Sequence, residues 1–151
     1  MNREESVKAV LKVKEYHEDM ISNIRGLVNG RDVEMLPPVA KTKCTLGLWL
    51  YNPENRVKDI LGLIFYEKID ALHEKWYDEY INIYNIFNKK EKKSFLSKIM
   101  GSNKIKMMDM DRAKAYYADL EITTEKILTE LDKSHRRFLA LSNASFEPPS
   151  T

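Results

Sequence analysis

Cysteine is nearly absent from this chain: Cys44 is the single thiol among 151 residues. One thiol excludes a disulfide within the chain and fits a reducing compartment, a bridge between two chains being the one pairing left. A surplus of either charge is missing too, since 25 basic residues stand against 23 acidic ones for a net charge of +2. That balance provides no electrostatic ground for binding nucleic acid or an anionic membrane surface. No apolar run reaches the roughly 18 residues of a bilayer-spanning helix. The opening MNREESVKAV has no apolar signal-peptide core. The expectation is a cytoplasmic chain that engages neither nucleic acid nor membrane.

Glycine and proline are scarce, five of each, and they cluster. Gly26 and Gly30, Pro37-Pro38, Gly47 with Pro53, Gly101 and Pro148-Pro149 punctuate stretches whose apolar period is helical. The composition, 43% apolar and 32% charged, suits one globular domain with a sizeable core.

The spacing predicts a first helix over about 3–28, with Val7, Val10, Val13, His17, Met20, Ile21, Ile24 and Leu27 in one stripe. Pro37-Pro38 makes 31–42 a loop. A short helix is expected at about 43–50. Asn52-Pro53-Glu54 offers a cap, a first-turn proline and an acid at the positive end of a dipole. It predicts a helix over about 53–88 with Leu61, Phe65, Ile69, Leu72, His73, Trp76, Tyr80, Ile83 and Phe87 facing inward. NKKEKK (88–93) reads as a solvated turn, 95–100 as a short helix, and Gly101-Ser102-Asn103 as a break. A last helix is expected over about 107–143, with Glu121, Glu125 and Glu130 on a solvated face. No strand alternation, repeat or linker is visible. The fold class is therefore all-α: an antiparallel helix bundle of three long helices plus short ones, because no stripe can be buried alone. Residues 1–145 form this single bundle and 146–151 a disordered tail.

Two of the three histidines, His17 and His73, interrupt apolar stripes. A buried imidazole needs a partner. That partner is either a backbone carbonyl or carboxylate, or a metal shared with Cys44, since thiolate and imidazole are preferred zinc ligands. A cysteine in the first turn of a short helix also feels the positive end of its dipole, which favours thiolate. Gly47 leaves room for a close backbone approach, and Trp49 and Leu50 anchor the short helix.

These residues carry a resemblance. His17, then Cys44-x-Leu46-Gly47-x-Trp49-Leu50, then His73 resembles the chemoreceptor zinc-binding domain family, whose pattern joins an early histidine, a C-x-[LF]-G-x-W-[LY] core and an H-x-x-x-H pair. The likeness covers about His17 to Tyr84, within a family-like core of about 10–95 that the helix at about 107–143 closes. It implies a mostly helical, usually dimeric, cytoplasmic module that holds one zinc through three histidines and one cysteine. The family's role is sensory, attached to chemoreceptors and diguanylate cyclases or alone. On this sequence it implies His17, Cys44 and His73 as ligands. The H-x-x-x-H pair is incomplete: with His73 as its second member the first is Ile69, and with His73 as its first member the second is Tyr77. The former alignment is preferred here, with Asp70, water or His135 as candidates for the vacant place and Asp70 placed first among the protein groups.

The functional expectation is a stand-alone zinc-binding sensory or regulatory module, not an enzyme, with metal- or redox-sensitive Cys44. Its output would pass through a homodimer or a signalling partner. The alternative is a metal-free helical adaptor acting only by protein contacts. A metal-dependent hydrolase would need an open coordination position beside a polar cleft.

Overall fold

The computed structural model describes the backbone of residues 1–100 and 107–149 and, within these, the side chains outside 89–100. The chain is all-α, with no strand among the described residues.

Helix α1 (Arg3–Val28) starts at a reciprocal cap: Asn2 Oδ1 accepts from Glu5 N–H, and Glu5 returns a carboxylate oxygen to Asn2 N–H. Two of the helix's free donors are thereby satisfied. The helix ends at Asn29, followed by Gly30 at φ 81°. An irregular crossing with Pro37-Pro38 leads to α2 (Thr45–Tyr51). Tyr80 Oη donates to the Pro37 carbonyl at 2.8 Å and ties that crossing to the core.

The helix expected over about 53–88 is interrupted. A 3-10 turn (Pro53–Asn55) leads to Arg56 at φ 51°, then α3 (Val57–Leu61), then Gly62 at φ 93°, and only then α4 (Leu63–Met100). Gly62 adopts a backbone that an L side chain rarely takes. The apolar rhythm Val57, Leu61, Phe65, Ile69 is buried straight across the break, so periodicity alone could not reveal it. At its far end α4 continues through Asn88–Lys93 to Met100. The expected turn and separate short helix are one element. Lysine and glutamate are good helix formers, and neither glycine nor proline occurs between Leu63 and Met100. The expected break at Gly101-Ser102-Asn103 lies outside the described residues.

Helix α5 (Met107–Ala140) packs against both α1 and α4. Lys14 meets Asp132 at 2.9 Å and Arg25 Nε donates to Tyr117 Oη at 2.8 Å, so α1 runs antiparallel to α5. Lys68 meets Glu130 at 2.8 Å and Trp76 Nε1 donates to Thr124 Oγ1 at 2.8 Å, so α4 does the same. Helices α1 and α4 therefore share one direction, and the crossing through α2 and α3 returns the chain to the starting end. The core between them includes Val10, Ile24, Trp76, Tyr80, Leu120, Ile127 and Phe138, all at most 1% exposed. Each such side chain contributes roughly 1.5–3 kcal/mol by burial.

Glu130 is not on a solvated face. It is 4% exposed. Burial works against its charge, but Lys68 and Lys133 hold its carboxyl below the usual range. Phe146, expected in a disordered tail, packs on the bundle. Phe146 is buried against Phe138 at 5.8 Å between rings, and Arg56 Nη1 donates to the carbonyls of Phe146 and Glu147. Among the described residues no helix is long and apolar enough to cross a membrane.

Candidate metal centre

Cys44 is the N-cap residue of α2. Its Sγ accepts from Gly47 N–H at 3.3 Å, the place that serine or aspartate oxygen occupies in other caps. Gly47 is required by a second contact: a Cβ there would overlap the Lys41 carbonyl oxygen. The same carbonyl lies 3.3 Å from Cys44 Sγ. The turn 41–44 is thus folded tightly back over the first turn of α2, and only glycine at position 47 admits it. Trp49 and Leu50, 4% and 3% exposed, seat α2 in the core. Asn55 Nδ2 closes the end of the helix on the Trp49 carbonyl at 2.8 Å.

Three separate helical elements bring His17 of α1, Cys44 of α2 and His73 of α4 together. One ligand atom from each lies within 4.8 Å of the other two. Cys44 Sγ and His73 Nε2 are 3.1 Å apart. Zinc ligands at bond lengths of about 2.0–2.3 Å stand roughly 3.3–3.8 Å apart in a tetrahedron, so shifts of about 1 Å close the cluster on an ion. All three residues are at most 1% exposed.

The environment of His17 fits a metal better than a structural role. Both its ring nitrogens are buried without a hydrogen-bond partner. Its ring stands edge-on to Trp76 at 5.3 Å and to His73 at 6.3 Å, and neither nitrogen forms a hydrogen bond with these neighbours. Burial, then the nearby His73, lowers its pKa to about 3. Burial, then Lys41, lowers that of His73 to about 4, against the opposing pull of Asp70. Both imidazoles are therefore neutral at pH 7, the form that binds metal.

His73 is oriented from behind. Tyr51 Oη donates to Asp70 Oδ1 at 2.6 Å and lies 3.1 Å from His73 Nδ1. Because the Tyr51 proton goes to Asp70, its oxygen accepts from Nδ1–H. That assignment leaves the Nε2 lone pair facing Cys44. One S–H proton cannot serve both Nε2 and the Lys41 carbonyl, so without a metal one acceptor goes unmet. A carboxylate–tyrosine–histidine chain of this kind fixes the tautomer of a metal-binding histidine.

The other expected site residues fall as follows. Asp70 shares the helix face of His73, but its carboxylate is engaged by Tyr51 and it is not among the three clustered groups. It supports the cluster rather than joining it. Ile69 is ordinary core at 1% exposure. His135, partly exposed on α5, stands outside the cluster. Sequence reasoning missed Tyr51. Its signal was its place seven residues after Cys44, two turns along the same short helix.

Tyrosines enclose the sulfur. Burial, then Cys44, pushes the Tyr16 phenol up to about 12. Tyr77 is 4% exposed, and its hydroxyl is buried with no partner of good geometry. Burial, and next the adjacent Cys44, raises its pKa strongly. The chain matches no family model, no curated protein and no solved structure.

Proposed function

We propose that this chain is a zinc-binding sensory or regulatory module in which His17, Cys44 and His73 hold the metal. The observation that carries the reading is His17: a fully buried imidazole whose two nitrogens have no partner, converging with a thiol and a second neutral imidazole. A nitrogen–nitrogen–sulfur donor set favours zinc among common divalent ions. The bound metal would supply binding free energy to the fold, because its ligands come from α1, α2 and α4.

Sensing follows from where the donors come from. The ligands belong to three helical elements, so occupancy biases how they pack together. Cys44 must give up its proton to bind metal, and with it the donor that lies 3.3 Å from the Lys41 carbonyl. Metal occupancy is therefore coupled to the backbone of the turn 41–44. In this reading the chain performs no catalysis. It works in a reducing, cytoplasmic setting, within an antiparallel bundle that passes its output to a second copy of itself or to a signalling partner.

Peroxide gives the same site a redox input. The Cys44 thiolate attacks one peroxide oxygen, the O–O bond breaks, hydroxide leaves, and sulfenic acid remains, a poorer metal ligand. At 1% exposure Cys44 is reached only when the turn 41–44 opens. The test is to load the protein with zinc, add peroxide and follow zinc release with a chromophoric chelator, then restore with dithiothreitol. Release that tracks sulfenate labelling of Cys44 and reverses on reduction supports the redox input. Full zinc retention while Cys44 is oxidised removes Cys44 from the ligand set.

A further inference from the structure

Three protein donors leave one corner of a tetrahedral site unfilled. Asp70 is committed to Tyr51, Ile69 has nothing to offer, and His135 is elsewhere. Tyr77 differs from all of them. It follows His73 by four residues on α4, one turn along the same face. Its ring stacks edge-on to His73 at 5.1 Å. Its hydroxyl is sealed from solvent and lies against Cys44 without a hydrogen bond of good geometry. An unsatisfied buried hydroxyl is a standing cost to the fold. A second unpartnered polar group aimed at the cluster that holds the orphaned His17 nitrogens points to a shared occupant.

We infer that the Tyr77 phenol oxygen is the fourth metal ligand, giving two nitrogens, one sulfur and one oxygen. The inference rests on the zinc-binding reading above. It also reverses the register preferred from sequence: His73 is the first member of the pair and Tyr77 the second. On binding, the phenol O–H bond breaks, the proton leaves to solvent and the oxygen's electron pair binds the metal. The protein loses the Cys44 proton in the same way. A phenol must lose a proton to bind metal whereas a neutral imidazole need not, so at pH 7 the site is weaker than one with a third histidine and releases zinc more readily.

The test uses the full chain with zinc alone, as wild type, Tyr77→Phe and Tyr77→His. Phenylalanine keeps the ring and removes only a buried hydroxyl without a well-made bond, so the metal-free variant should fold and melt at or above the wild type. Zinc titration is followed by the ultraviolet difference spectrum of phenolate and by competition with a chelator. The expected result is one tyrosine ionised per zinc in the wild type and none in Tyr77→Phe. Affinity should fall at least about tenfold in Tyr77→Phe and match or exceed the wild type in Tyr77→His. Equal affinity in wild type and Tyr77→Phe overturns the inference and leaves the zinc reading standing. An affinity loss with no phenolate signal in the wild type also overturns it, since Tyr77 would then only brace Cys44. A wild type that takes up no zinc overturns both.

Discussion

Replacing His17 with leucine should strengthen the metal-free protein while destroying its response to zinc. In the folded chain a neutral His17 ring buries one N–H donor and one acceptor nitrogen, neither of them satisfied. Each buried unsatisfied group costs about 1–3 kcal/mol. Leucine removes both, has comparable bulk and is a slightly better helix former. Repacking against Trp76 and Tyr16 offsets about 1 kcal/mol of that gain. The net expectation in chelator is a gain of about 1–5 kcal/mol in urea unfolding. For a domain of this size that is a rise in Tm of roughly 2–20 °C. With free zinc at a hundred times its Kd, the wild type should gain about 2.7 kcal/mol, and His17→Leu far less. The order of stabilities thus narrows or inverts on adding metal. Urea melts of both proteins in chelator and in zinc measure all four values. A His17→Leu protein destabilised in chelator would mean that the ring is satisfied and structural. An undiminished zinc response would mean that His17 is not a ligand.

The same burial makes the metal-free fold acid-sensitive. The folded-state values of His17 and His73 are lowered to about 3 and about 4. Below the unfolded value of about 6.5 the unfolded chain takes protons that the folded chain refuses. Stability is therefore full above pH 6.5 and lost as pH falls, by up to about 2.7 kcal/mol per pH unit down to pH 4. His17→Leu should halve that slope in urea melts across this range, and an unchanged slope would refute the assignment. Gly47→Ala drives a methyl into the Lys41 carbonyl. It should cost about 1–3 kcal/mol by overpacking and weaken zinc competition tenfold or more, whereas neutral behaviour would mean the turn 41–44 is loosely held. Tyr51→Phe and Asp70→Ala should each weaken zinc binding about 10–100-fold without changing stoichiometry. The double variant should be no worse than either, and a larger, additive loss in Asp70→Ala would make Asp70 a ligand in its own right.

The helical content, the inward stripes and the three clustered residues His17, Cys44 and His73 were legible because each is a matter of spacing. An imidazole replacing an aliphatic side chain at helical period must face the core, and a thiol beside Gly47 and Trp49 marks a tight, anchored turn. What escaped was set by contacts between distant residues. The break at Gly62 hides within an unbroken apolar rhythm. The continuation of α4 through NKKEKK shows that a charged run need not end a helix. Glu130 is internal because Lys68 reaches it from another helix. In the proposed site, the choice between Ile69 and Tyr77 likewise depends on which side of His73 turns toward Cys44. No one-dimensional pattern contains that information, since both neighbours are one turn away.

The most direct measurement of the central claim is metal content by elemental analysis, on protein purified with neither added metal nor chelator, beside a Cys44→Ala variant. The account predicts about one zinc per chain in the wild type and a large loss in the variant. Two folded proteins that both lack metal would contradict it and leave the buried cluster as packing alone.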